Sequence, residues 1–131
     1  MSEVTRQGAS PPVLRWFRSQ RTAGLVTASV VEAELRKGIA FLPRGRRRAM
    51  MGRALDHLLD NGLGGRVLPF DRAAARAYAG FVAKRRAVGR SIHVFDMQAI
   101  AVAAVHGCSV ATRNTRDFDD LGVPLVNPWT D

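Results

Sequence analysis

Apolar positions in this chain follow two rhythms, short β-branched runs and longer helical stripes, and the two alternate. "GLVTAS" (24–29), "GRVLPF" (65–70), "CSVATR" (108–113) and "VPLVN" (123–127) are the short runs, each predicting a strand. Between them the spacing predicts helices. Ser10 before Pro11 and Pro12 opens a short one reaching Gln20, which carries Val13, Leu14, Trp16 and Phe17. Ser29 and Glu32 have the spacing of a capping box for a helix over 29–42. Pro43 and Gly45 break it, and a second helix over 46–61 ends at Gly62. Asp71 caps a long helix running to Val88, just before Gly89. "FDMQAIAVAAVHG" (95–107) is a small-residue helix stopped by Gly107 in the C′ position, and "DFDDL" (117–121) makes one turn. Strands alternating with helices call for a parallel sheet covered on both faces, a three-layer α/β/α sandwich.

One acid interrupts this order. On a helix turning about 100° per residue, Asp96 shares a stripe with Ala99, Ile100, Ala103 and Gly107. That stripe is small and apolar, so it should press against a core, where an unpaired carboxylate is costly to desolvate. Either Asp96 faces the helix dipole from the first turn, or it reaches a site where a cation holds it. In open α/β sheets such a site lies beyond the carboxyl ends of the strands, where helices begin. Asn114 and Asp117 follow the strand ending near Thr112, and Glu34 lies only about 7.5 Å along the helix after the first strand. Three segments thus bring oxygen ligands to one rim, a donor set suited to Mg²⁺ or Mn²⁺ rather than zinc. His57, His93 and His106 lack zinc spacing, and Cys108 is expected to fill core.

At 131 residues the chain is expected to form one domain, 1–131. No apolar run approaches the roughly 18 residues of a membrane span, and no signal-peptide core opens the chain. A lone cysteine fits a reducing cytoplasm. A net charge of +9 and a pI near 11.5 favour a polyanionic partner, nucleic acid or an acidic protein, over a small anion. "RGRRR" (44–48) and "KRR" (84–86) with Arg90 either run RNA phosphate toward the rim or form solvated helix faces. Trp16 and Phe17 fit core or a groove for a partner helix better than a base-stacking platform.

In order and spacing, "ASVVEAELRKGIAFLP", "GRVLPFD", "IHVFDMQAIAVAAVHG", "VATRNTRDF" and the closing "VNPW" resemble a PIN-domain ribonuclease. Within that family they are most similar to the VapC toxins of type II toxin–antitoxin pairs, in particular the FitB-like group. The resemblance covers residues 10 to 129. It implies a parallel sheet between helices and an acidic pocket binding Mg²⁺ or Mn²⁺ for hydrolysis of RNA. It also implies a VapB-like antitoxin that blocks the pocket, commonly on toxin homodimers, for which "PPVLRWF" and "GIAFL" offer apolar surfaces. The same resemblance makes Glu34 of "AELRKG" the helix-borne acid and Asp96 of "FD" the metal-binding aspartate. Glu32, about 200° away from Glu34 around the helix, is expected to be solvated. Thr112 and Asn114 match the pocket's last element, where relatives often carry Asp, and Thr112 and Arg113 become candidate substrate contacts. Asn114 can coordinate through its amide oxygen or orient a water, but supplies no charge. Asp117 is either its substitute or a local cap of "DFDDL". His93, Val94 and Phe95 stand where small residues are frequent in relatives, and are expected to narrow the pocket entrance.

Carboxylate-held metal lowers the pKa of its water and neutralises charge developing on phosphate. One ion and two both stay open. The rival reading is a catalytically dead PIN-fold module that binds RNA or an antitoxin. The family's chains begin with a buried central strand ending in an aspartate, and "MSEVTRQGASPP" matches only the tail of that pattern. The resemblance therefore places that strand and its aspartate before residue 1. The expectation is either a reading frame begun at an internal Met or a truncated chain with crippled catalysis, because Glu34 and Asp96 alone hold Mg²⁺ weakly.

Overall fold

The computed structural model describes residues 26–112 and 115–127. The helix expected over 10–20, with Trp16 and Phe17, lies outside them, as do Arg113 and Asn114. The described chain alternates short strands with helices. In order these are β1 (Thr27–Ala28), α1 (Ser29–Ala40), α2 (Arg46–His57), β2 (Val67–Leu68), α3 (Arg72–Ala87), α4 (Val94–Val105), β3 (Val110–Ala111) and β4 (Leu125–Val126). The last turn of α2 widens to π geometry over Leu58–Gly62. A 3-10 turn covers Thr115–Phe118, starting earlier than the one-turn helix expected over 117–121.

Each strand falls inside the run that predicts it but is shorter. β1 pairs in parallel with β2, and β3 in parallel with β4. Among the described residues no strand belongs to both pairs, so the expected single sheet is here two separate parallel pairs. Helix α4 packs across both. Its Met97 and Ile100 pack with Phe118 and Leu121 against Val110 and Leu125, while Val102 packs with Ala28 and Ala74 against Leu68. A third cluster, Leu55, Leu59 and Leu63, closes on Leu35, Ile39 and Val67. Successive residues of a strand point to opposite faces. Val67 accordingly joins the cluster built by α1 and α2, and Leu68 the cluster reached by α3 and α4, which puts helices on both faces.

Local chemistry sets the helix ends. Asp71 Oδ1 accepts from the Ala74 amide at 3.0 Å, as a capping aspartate should. α4 ends in a Schellman turn: Cys108 N donates to Ala103 O at 2.9 Å and Gly107, at φ 65°, donates to Ala104 O at 3.3 Å. The capping box does not form. The residue capping α1 is Ala28, with no side-chain hydrogen bond, and Ser29 Oγ instead accepts from Phe70 N at 3.3 Å. Ser29 is drawn off its helix because β2 ends beside it and leaves an amide to satisfy. Glu32 is half-buried rather than fully solvated, paired with Arg36 at 2.7 Å, and Arg36 reaches on to Asp56 of α2 at 2.8 Å. Among the described residues no helix is long and apolar enough to cross a membrane.

Candidate active site

Asp96 lies in the first turn of α4, but it is not the cap; His93 holds that position, without a side-chain cap bond. The fully buried line of the helix runs through Met97, Ile100 and Ala101. Asp96 sits beside that line, so its carboxylate is half-buried. It makes no hydrogen bond or ion pair with a described residue. Burial pushes its pKa up, His93 pulls it back down, and the like charge of Asp117 raises it further. The structure therefore brings Asp96, His93 and Asp117 into one electrostatic neighbourhood. His93 was singled out in the sequence only as bulk near the entrance. Its place three residues before Asp96, where the helix starts, is the signal that marks it as a neighbouring charge. Side chains His93 and Val94 are exposed and Phe95 is half-buried, so all three contribute to the surface around Asp96.

The other sequence candidates stand around this point. Asp117 is exposed on the 3-10 turn that follows β3. Thr112 is half-buried at the end of β3, where its amide donates to Val126 O at 2.9 Å. Glu34 is exposed on α1, a helix that packs against α4, and its carboxylate meets Lys37 Nζ at 3.0 Å. It is not among the charges acting on Asp96. Among the described residues no group of three or more His, Cys, Asp or Glu side chains is close enough to hold a metal ion. Asp117 is the acid whose charge acts on Asp96, which is itself half-buried and, among the described residues, unpaired. Two carboxylates with water is the kind of donor set that Mg²⁺ and Mn²⁺ accept.

Beside this pair lies a network that the sequence reading missed. Gly89, at φ 71°, ends α3 in a second Schellman turn, and the Arg90 amide donates to Arg85 O at 3.0 Å. Both guanidinium groups then converge on Asp120 Oδ1, Arg85 at 3.3 Å and Arg90 at 2.9 Å. Arg85 also donates to Ser91 O at 3.0 Å and lies 5.2 Å from the centre of the Phe118 ring. Arg90 donates to Arg116 O at 2.9 Å and meets Asp119 at 3.2 Å. Arg85 is only 2% exposed, so it is neither an RNA-facing residue nor part of a solvated face. The signal was available: Arg85 continues the stripe of Tyr78, Phe81 and Val82, at helical spacing. Lys84 and Arg86 are exposed, as are Arg44, Arg46 and Arg47, and none of these five pairs with a described carboxylate.

The family model for the PIN domain matches residues 9–124. The chain is 37% identical to the VapC ribonuclease Y4jK of Sinorhizobium fredii (strain NBRC 101917 / NGR234) over 129 residues, which is 98% of this chain and 92% of that protein. It is 31% identical to the toxin FitB of Neisseria gonorrhoeae (strain ATCC 700825 / FA 1090), over all of this chain and 94% of the other. Among solved structures, the crystal structure of FitAcB from Neisseria gonorrhoeae matches with a TM-score of 0.89 at 31% identity, covering 99% of this chain and 94% of that one. VapBC-5 from Mycobacterium tuberculosis, a member of the VapBC family of toxin–antitoxin systems, matches with a TM-score of 0.64 at 27% identity over 77% of this chain and 78% of that one.

Proposed function

The chain belongs to the PIN-domain family, and from that premise we propose that it is the toxin of a type II toxin–antitoxin pair, an endoribonuclease working with Mg²⁺ or Mn²⁺. The observation that carries the reading is Asp96: a half-buried carboxylate at a helix start, unpaired among the described residues, with the charge of a second carboxylate, Asp117, acting on it. Folding gains nothing from that arrangement, which makes it a candidate functional site. Asp96 and Asp117 would hold the ion, with Asn114 offering an amide oxygen. Glu34, freed from Lys37, would orient water at the same rim. A bound divalent ion supplies an activated water and neutralises charge developing on the phosphate. Thr112 and Arg113 would contact the RNA backbone beside the scissile bond.

The partners follow from the same reading. The relatives solved as FitAB and VapBC complexes support a VapB-like antitoxin for this chain. The pair would meet in the cytoplasm, a compartment that the lone Cys108 suits. A homodimer is part of the proposal, and Phe41, 78% exposed at the end of α1, is an apolar side chain available to it.

Purified chain incubated with RNA and Mn²⁺ tests the activity. The parent should cut, and Asp96→Asn should lose at least about 100-fold in rate. Equal cutting by parent and variant ends the proposal. A second reading, a PIN-fold module that binds RNA or an antitoxin without cutting, draws on the lack of a three-acid cluster among the described residues. It predicts RNA binding that is unchanged by EDTA and no cleavage at any Mn²⁺ concentration.

A further inference from the structure

We propose that Arg90, backed by Arg85, is a positioning residue that holds Asp117 opposite Asp96. The inference rests on the reading of those two acids as the metal-binding pair. Asp96 starts α4 and Asp117 lies on the 3-10 turn after β3. The like charge of Asp117 raises the Asp96 pKa and no hydrogen bond joins them, so other contacts have to hold the two segments together. Arg90 grips the chain on both sides of Asp117. It donates to the carbonyl of Arg116, the residue before, and pairs with Asp119 and Asp120, just after. Arg85 joins the other half of the site. Its Nη1 donates to Ser91 O, in the loop that leads into α4 and Asp96, while its Nη2 reaches Asp120. One pair of adjacent guanidinium groups thus ties the loop before Asp96 to the turn bearing Asp117. The Schellman turn at Gly89 fixes the pair itself, since the Arg90 amide is bonded to Arg85 O. Only arginine fits both tasks of Arg90, because a planar fork can serve a carbonyl and a carboxylate at once.

The test is Mn²⁺ binding by the full-length chain without RNA, measured by calorimetry, with a thermal melt of each variant. Arg90→Ala should weaken Mn²⁺ binding by about 10-fold or more, the scale seen when a residue supporting a metal ligand is removed. Arg90→Lys should recover part of this. Asp119→Asn removes one exposed pair and keeps the bond to Arg116 O, so it should stay within about twofold of the parent. If Arg90→Ala lowers the melting temperature yet binds Mn²⁺ like the parent, Arg90 is merely structural and the proposal is overturned. Should Arg90→Ala not fold, Arg90→Lys decides: weakened affinity supports the proposal, and parental affinity overturns it. Asp96→Asn separates the two levels. If it binds Mn²⁺ as tightly as the parent, the reading of the site itself falls.

Discussion

Arg85 and Asp120 stand 35 positions apart in the chain and meet at 3.3 Å, the arginine almost wholly buried. This pair joins the end of α3 to the segment after β3, and Phe118 lies against the same guanidinium group. Among the described residues, Arg85 Nε and Asp120 Oδ2 are buried without a hydrogen-bond partner. Arg85→Ala should destabilise the protein by about 1–3 kcal/mol, because it removes a buried side chain from beside Phe118, takes the donor from Ser91 O and leaves Asp120 to Arg90 alone. Equilibrium urea denaturation reads this as a lower midpoint at unchanged slope.

Asp96→Asn should act in the opposite direction. The folded-state pKa of Asp96 is raised by burial, so its ionised form opposes folding. That penalty is present at neutral pH and vanishes as pH falls through the range where the carboxyl protonates. The variant should therefore melt above the parent at pH 7, and the gap should close toward about pH 4 and below. Loss of cleavage with a gain in stability, in one variant, is the signature of a residue kept for chemistry.

Helix ends governed by neighbours in sequence were legible. Asp71 and Gly107 do what their positions predict. The rule that sites lie where strands end and helices begin put Asp96, Asp117 and Glu34 at one rim, and of the latter two Asp117 but not Glu34 is among the charges acting on Asp96. What escaped depends on distant partners. Ser29 and Glu32 have capping-box spacing, yet Phe70 N and Arg36 take their side chains. Arg85 lies inside "KRR", and a basic run reads as solvated unless the apolar stripe through Tyr78, Phe81 and Val82 is given more weight than the charge. Its acceptor, Asp120, carries no local mark at all.

The start of α2 offers a test of the basic surface. Arg46, Arg47 and Arg48 occupy a helix N-terminus with no acid in its first turn, where the dipole disfavours cations. Arg46→Glu should raise stability by about 0.3–1 kcal/mol. If RNA tracks over this surface, the same change weakens binding and lowers the salt dependence of affinity by roughly one to two phosphate contacts. Filter binding across a salt series, beside a thermal melt, measures both. An unchanged salt slope would place the RNA elsewhere.

Gly89 is left-handed at φ 71°, with open space where a Cβ would stand. Gly89→Ala should thus meet backbone strain alone, costing about 1 kcal/mol, and Gly89→Asn less. Chemical denaturation of the two variants side by side should rank them in that order.

Among the described residues the two strand pairs share no backbone hydrogen bond, and α4 reaches one through Met97 and Ile100 and the other through Val102. Cooperativity between the two halves then passes through two helices, α4 and α3, the latter with Ala74 in one cluster and Tyr78, Phe81 and Val82 in the other. Val102→Ala removes little volume, but it loosens the coupling itself. Its urea transition should broaden as well as shift, with the β1–β2 half opening ahead of the half that carries Phe118.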